Sequence, residues 1–582
     1  MSSRYFEDED IVGPAYKGRV VGRLGGYLRP YRGKLMVSLC LVVAVALLQI
    51  TSPLIVREAI DNQIRVGQTD RLGTLAGAYL GVLLSIFVLQ FAQVVLMTYV
   101  GQRVMMDLRL QLFNHVQKMA IAFFDRNPVG RLVTRLTNDI STLELVLSQG
   151  VVETLTNLLM LFAIVGVLFY LDAQLALIMI AVLPLLIFAV RHFALEQRDA
   201  FRSQRGWLAR INAYLNENIT GISVVQLFNR QRRNLRHFDD RNLGPLDANL
   251  RVTFFFAIFE PTVVMFNALT TGILIWYAGG RVLDDTLTLG TLVAFLAYMQ
   301  RFYWPIRDLS ERYTTMQQAM AASERVFDVL DEAEEVTDVE DPVELETVQG
   351  RIEFDRVWFA YDADNWVLRD VSFTIEPGEK VAIVGATGAG KSTMMSLLNR
   401  FYDVQRGEIR VDGVPIRRLR QRQLRRHVGL VLQDAFIFTD TVLENIRMRD
   451  PSIDPEQVRA AARLVGAEPF ILRMPDGYET ELAERGANLS TGQKQLIALA
   501  RVAAFNPEIV LVMDEATASI DPETEATLQE SMRRVMQGRT SIIIAHRLNT
   551  IRYVDRIIVL GQGRIVEEGS HETLLASGGV YY

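Results

Sequence analysis

Residues 35–56, LMVSLCLVVAVALLQITSPLIV, contain no charged side chain. A bilayer core about 30 Å thick asks for roughly 20 such residues in one helix. The pattern recurs. Residues 72–102 are also uncharged, 145–171 carry only Glu153, and LALIMIAVLPLLIFAV follows the short break DAQ and ends at Arg191. Residues 252–280 carry only Glu260, and 284–306 form a weaker sixth run interrupted by Arg301. Six spans are therefore expected.

Two gaps between these runs are long and basic, about 101–142 (Arg103, Arg109, Lys118, Arg126, Arg131, Arg135) and about 191–251. The other connections are short and poorer in positive charge. The positive-inside rule places the two long gaps in the cytosol, and both chain ends with them. The first residues, MSSRYFEDEDIVGPAYKGR, lack the basic and apolar regions of a signal peptide and are too acidic for a transit peptide. A plasma-membrane protein with a cytosolic start is expected, with a bacterial inner membrane the favoured setting. RVVGRLGGYLRPYRGK mixes apolar and basic residues as an interfacial helix does.

After Pro305 the pattern changes. EAEEVTDVEDPVELETVQG is an acidic linker, and from RIEFDRVWFAY onward short β-branched runs alternate with polar helical ones, the mark of an α/β domain. The expected organisation is 1–33 as an interfacial lead-in, 34–330 as a six-helix all-α transmembrane domain, 331–350 as linker and 351–582 as an α/β domain. The net charge of −6 gives no case for nucleic-acid binding. The single cysteine, Cys40, excludes an internal disulfide and is expected as a small apolar residue on a buried helix.

GATGAGKS, from Gly385 to Ser392, follows the apolar strand KVAIV and opens a helical run. Its glycines let backbone N–H groups curl around phosphate oxygens: Gly385, Ala386, Thr387, Gly388, Ala389 and Gly390 form the cradle. The helix N-terminus adds its dipole, Lys391 reaches the β- and γ-phosphates, Ser392 holds Mg²⁺, and Thr393 follows in the helix's first turn. EIVLVMDEATASID ends a buried-strand run in two acids. Asp514 is placed to bind Mg²⁺, and Glu515 to act as general base toward the attacking water. ATP with Mg²⁺ is the expected ligand, and the domain is a P-loop nucleotide-binding domain.

NLSTGQKQLIALARV lies between these motifs, and SIIIAHRL follows them. Together they resemble the ATP-binding cassette (ABC) proteins, in order over some 230 residues. The resemblance implies that Tyr361 stacks on adenine and that Gln433 senses Mg²⁺ and the membrane domain. It implies that Ser490, Thr491, Gly492 and Gln493 form the signature, Asp521 the D-loop acid and His546 the γ-phosphate contact. TELAERG, with Glu484, resembles an exporter-type segment before the signature. In the membrane half, FFDRNPVGRLVTRLTND resembles the family's first coupling segment, and NAYLNENITGISVVQLFN the second, with Glu217 and Gly221 matching. The whole is similar to a half-transporter of the ABC exporter class.

A soluble P-loop ATPase has no need of six spans, and importers usually keep cassette and membrane domain on separate chains. A gated channel on the same scaffold usually lacks the general base, and Glu515 is present. The cargo is expected to be hydrophobic or amphipathic: drugs, lipids or peptides. Aromatic and methionine residues in FFFAIFEPTVVMF and MQRFYW suit a cavity as well as packing, and Glu153 and Glu260 fall at similar depth, toward the inner leaflet or its water boundary. The signature reads LSTGQ, with Thr491 where the family typically has glycine. An altered signature beside a complete half-site favours a heterodimer with a second half-transporter; a homodimeric lipid flippase is the alternative.

Overall fold

The computed structural model describes residues 14–145, 151–345, 347–362, 365–432, 434–514, 522–545 and 551–582. The chain divides into two compact units, one formed by residues up to 117 together with 129–332, the other by 118–128 together with 333–582.

The regular structure of the first unit, among its described residues, is helical. It opens with α1 (Pro14–Leu28) and continues with α2 (Arg32–Ala59), α3 (Leu72–Lys118), α5 (Val129–Thr134), α6 (Ile140–Leu145), α7 (Val151–Leu171) and α8 (Ala173–Ala181). It is completed by α9 (Leu183–Thr220), α10 (Ile222–Leu227), α11 (Gln231–Leu283) and α12 (Leu289–Asp331). Helix α4 (Ile121–Arg126) falls in the second unit. Five stretches of described helix are long and apolar enough to cross a membrane: Gly22–Ile64, Leu72–Lys118, Glu153–Leu171, Ala173–Thr220 and Gln231–Leu283. In α12, Gln300 and Arg301 break the apolar run.

At 1.5 Å per residue the 53 residues of α11 reach about 80 Å, far beyond one bilayer core. Glu260 lies roughly 35 Å before its end at Leu283, and Glu153 roughly 27 Å before the end of α7 at Leu171. Both acids thus sit about one bilayer thickness from those ends. Cys40 is exposed on α2, which corrects the buried placement expected for it. A span presents apolar residues outward as well as inward because lipid is its neighbour, so apolar surroundings do not imply a core.

The core of this unit gathers Ile164, Leu168 and Leu175 with Phe295, Tyr298, Met299 and Phe302. Polar ties hold α2 to α12. Asp61, just past α2, accepts from Thr288 Oγ1 at 2.7 Å and from the Gly290 N–H at 2.8 Å, capping α12. A Cβ on Gly290 would come within 2.6 Å of the Arg57 carbonyl and of Asp61 Cγ, so this approach requires glycine. Further along, Arg301 donates to the Gln49 carbonyl and, at 2.8 Å, to Ser52 Oγ. A guanidinium at the centre of a spanning helix costs about 2.5–3.5 kcal/mol. On α8, Asp172 caps the helix through the Leu175 N–H at 3.0 Å and takes Arg281 Nη1 of α11 at 2.8 Å.

The second unit has two sheets. An antiparallel sheet in the order β2 (Trp366–Ile375), β1 (Ile352–Ala360), β4 (Arg406–Val411), β5 (Val414–Pro415) covers one side. The six-stranded sheet runs β10 (Arg564–Gly569), β9 (Arg556–Gly561), β3 (Lys380–Gly385), β8 (Thr540–Ala545), β7 (Ile509–Asp514), β6 (Val428–Val431). All its pairings are parallel except β9 with β10. Buried on both faces, β3, β7 and β8 read as unbroken apolar runs instead of alternating ones. One core joins them to β1 and α13 (Lys391–Leu398); a second lies under α15 (Val442–Arg447), α16 (Pro455–Leu464) and α18 (Thr491–Phe505).

Candidate functional site

Strand β3 sits between β8 and β9, and the loop that follows it runs from Ala386 to Gly390 before α13 begins. Gly390 caps α13 with φ at +103°, and a Cβ there would lie 2.6 Å from Leu368 Cδ2. A left-handed backbone and a close neighbour both demand glycine. Ala386, Thr387 and Gly388 are exposed, whereas Ala389, Gly390 and the side chain of Lys391 are buried. The Lys391 ammonium donates to the Gly385 carbonyl at 2.8 Å and to the Ala386 carbonyl at 3.1 Å, curling the loop around itself. Exposed loop residues, a helix N-terminus and a lysine converge here, an arrangement suited to phosphate. Ser392 is exposed in the first turn of α13, and Thr393 is buried behind it.

Tyr361 follows β1 and is 51% exposed. Its hydroxyl lies 3.1 Å from Thr393 Oγ1, which ties it to the phosphate loop's helix. Its ring meets Phe359 edge to face at 4.9 Å and Tyr402 at 5.2 Å. These neighbours fix the ring's position while half of the residue stays open to a flat ligand. Tyr402 in turn donates its hydroxyl to Asp125 of α4. Burial first, and then the Asp125 carboxylate, push the Tyr402 hydroxyl well above the usual tyrosine range, so it stays a donor. Arg126 pairs with Glu335 beside it. Asp125 lies in the coupling segment read from the sequence; Tyr402 was missed, although the aromatic pair in NRFYD was the available signal.

Asp514 ends β7 opposite Ala545 of β8, one residue beyond the level at which Ile544 pairs with Ile383 of β3. Its backbone therefore stands at the same sheet edge as the phosphate loop, two strand spacings or about 10 Å away. This carboxyl end of a parallel sheet is where such folds bind ligands. Glu515 follows directly after β7, Asp521 directly precedes α19 (Pro522–Met536), and His546 directly follows β8. These three residues and Gln433 lie outside the described residues.

Ser490 caps α18: its hydroxyl accepts from the Gln493 N–H at 3.2 Å, and Gln493 Oε1 accepts from the Ser490 N–H at 2.9 Å. Thr491 is the first helical residue and is exposed, while Gly492 is buried. A β-branched side chain at this exposed first position leaves the cap intact. Glu484, in the turn before the cap, is exposed.

At the far end of α9, Gly221 donates its N–H to the Glu217 carbonyl at 2.9 Å, and α10 follows. Ile222, Val224, Leu227 and Phe228 are all exposed there. Lone exposed apolar residues are common, but a contiguous group at the tip of two long helices marks a contact surface.

Residues 35–306 match the ABC transporter transmembrane region, and residues 368–518 match the ABC transporter domain. The chain is 38% identical over 582 residues to the ABC transporter ATP-binding protein YknV of Bacillus subtilis, covering 99% of this chain and 96% of that one. It is 36% identical over 563 residues to the ATP-dependent lipid A-core flippase of Syntrophus aciditrophicus, covering 96% and 93%. A bacterial Atm1-family ABC exporter, solved with ATP bound, superposes with a TM-score of 0.76 at 28% identity, covering 94% of this chain and 97% of that one. Transmembrane region, cassette and end-to-end likeness agree: the chain belongs to the ABC exporters, as a half-transporter membrane protein in which ATP hydrolysis is coupled to transport.

Proposed function

We infer that this half-transporter exports hydrophobic or amphipathic compounds (drugs, lipids or peptides) across the bacterial plasma membrane by alternating access. The cassette and both termini face the cytosol. The observation that carries the ATP chemistry is the phosphate cradle at the sheet edge where β7 ends in Asp514. The loop amides and Lys391 bind the phosphates, and Tyr361 stacks on the base. Ser392, Asp514 and Gln433 would hold Mg²⁺, which would supply positive charge against the phosphates. Glu515 takes the proton of the attacking water, and His546 contacts the γ-phosphate. The test is ATP turnover in lipid nanodiscs, stimulated by a panel of amphiphiles. An intact fold without amphiphile-dependent turnover defeats the reading.

The working unit is a dimer. The exposed apolar tip around α10 supports this, because water is a poor neighbour for Leu227 and Phe228. A heterodimer is favoured by Thr491. Signature residues close the ATP site of the opposite subunit, and a threonine side chain there stands between backbone and phosphate where glycine allows close approach. The other combination, this chain's half-site with a partner's intact signature, is the hydrolytic one. A homodimer that tolerates threonine is the competing reading, supported by the unstrained, exposed setting of Thr491.

A further inference from the structure

In α2, Pro53 has no N–H to donate, so the Gln49 carbonyl one turn back loses its helical partner. Two groups make up the loss. Ser52 Oγ donates to it at 3.2 Å, and Arg301 of α12 donates to it from Nη1 while giving Nη2 to Ser52 Oγ. One turn away on α12, Tyr298 donates its hydroxyl to the Ile50 carbonyl. The guanidinium has five N–H donors. Its hydrogen-bond partners among the described residues are Gln49 and Ser52, and no carboxylate among those residues pairs with it.

Gln49 lies about 15 Å from the end of α2 at Ala59, and Arg301 about 18 Å from the start of α12 at Leu289. Asp61 holds those two ends together, so the charge sits near the middle of a bilayer about 30 Å thick. Along α12, Phe295, Tyr298, Met299 and Phe302 are buried, whereas Leu296, Gln300 and Arg301 are not. Gln300 is thus left uncovered by its own unit, and Arg301 lies half-buried against α2 beside it. Adjacent polar side chains at mid-depth face a cavity or partner, not hydrocarbon. A carbonyl acceptor needs one N–H donor and no charge, so the hydrogen bond alone does not account for a full charge.

We propose that Arg301, with Gln300 beside it, is the docking point for the anionic headgroup, carboxylate or phosphate, of an amphiphilic cargo. A guanidinium held on one side by Gln49 and Ser52 keeps its remaining N–H groups for a planar or tetrahedral oxyanion. Leu296, on the same face as Gln300, offers apolar surface to the tail. This proposal rests on the exporter reading above.

The test uses the full chain in nanodiscs, with its partner subunit if it requires one. ATP turnover is titrated with laurate, dodecyl phosphate and dodecanol, three headgroups on one tail, in the wild type, Arg301→Gln and Arg301→Lys. Arg301→Gln keeps an amide donor on α12, two bonds shorter, and removes the charge. It is expected to raise the half-maximal concentration of the anions about tenfold, while dodecanol and basal turnover move less than about twofold. Arg301→Lys should retain part of the anion response. The anion that loses more identifies the carboxylate or the phosphate as the natural head. A parallel shift for all three compounds, or none, assigns Arg301 a structural role and overturns the proposal. Wild-type stimulation by dodecanol alone also overturns it and leaves the exporter reading standing; a wild type that responds to no amphiphile overturns both.

Discussion

The hydroxyl of Tyr402 is donated to the carboxylate of Asp125, so the ring that braces Tyr361 is hydrogen-bonded to α4. Helix α4 comes from the first long basic excursion of the membrane half, yet it belongs to the compact unit that carries the phosphate loop. The chain of contacts runs Asp125, Tyr402, Tyr361, Thr393. A base stacked on Tyr361 would therefore touch a residue two contacts from α4. Tyr402→Phe keeps the ring and removes the donor. One hydrogen bond to a charged, partly exposed group contributes on the order of 1 kcal/mol, or about fivefold. Amphiphile stimulation of turnover should fall by about that factor, with ATP affinity unchanged. A variant that loses affinity and keeps stimulation would show that Tyr402 only supports the stacking ring.

Glu515→Gln preserves the size of the side chain and removes its basicity. Hydrolysis should fall by about a hundredfold or more while ATP binding persists, because general bases contribute on that order. Lys391→Ala should act the other way, weakening binding itself, since its ammonium closes the loop and is the cation proposed to meet the phosphates. Fluorescent ATP binding and phosphate release, measured on both variants, separate the two effects. Removing Mg²⁺ with a chelator should stop turnover in the wild type, and normal turnover after chelation would contradict the assignments of Ser392 and Asp514.

Gly390→Ala tests the cradle as a piece of backbone. The residue sits at φ +103° with Leu368 Cδ2 2.6 Å from where a Cβ would stand. Backbone strain of this kind costs about 1–3 kcal/mol. A fall in the cassette's melting temperature together with weaker ATP binding is expected. A fully stable variant with normal binding would show that the loop has another route around Leu368.

These contrasts show which features a linear sequence makes legible. The phosphate loop is local: a strand, a fixed glycine spacing, a lysine and a helix lie within one short run, so its chemistry is readable before any fold is known. The long helices are legible for a similar reason, since hydropathy is a property of each segment alone. Arg301 is different. The sequence offers it only as a break in an apolar run, because its meaning is set by the carbonyl that Pro53 frees, 252 positions from it at Gln49. For Tyr402 the aromatic pair in NRFYD is a signal of packing only; its acceptor, Asp125, lies 277 positions away. Cys40 was misplaced because apolar surroundings were equated with burial, an inference that holds in water and fails against lipid.

Asp61→Ala should loosen the tie between α2 and α12. The carboxylate accepts from both Thr288 and the Gly290 N–H, and losing a capping side chain costs about 0.5–2 kcal/mol. A melting temperature lower by a few degrees is expected in detergent, with ATP binding unaffected. Asp61→Asn should restore most of it, because an amide oxygen still caps. Equal loss in both variants would point to the nearby Arg57, 3.6 Å away, as the partner that matters.

The last prediction turns on Thr491. At the first position of α18 it is exposed, and the Ser490–Gln493 capping box is complete without any help from its side chain. Thr491→Gly should therefore leave the fold nearly unchanged, since the cap carries the helix start and the first turn feels propensity weakly. Its effect is confined to what approaches the signature from outside. If the threonine holds an opposing ATP at a distance where hydrolysis is slow, glycine should raise turnover at that site severalfold. Measured on the chain expressed alone, the comparison decides between assemblies. A heterodimer subunit should be poorly active alone and gain from Thr491→Gly, because two altered signatures would otherwise face two good half-sites. A wild-type chain that forms a stable, fully active homodimer, with no gain from glycine, would defeat the asymmetric reading.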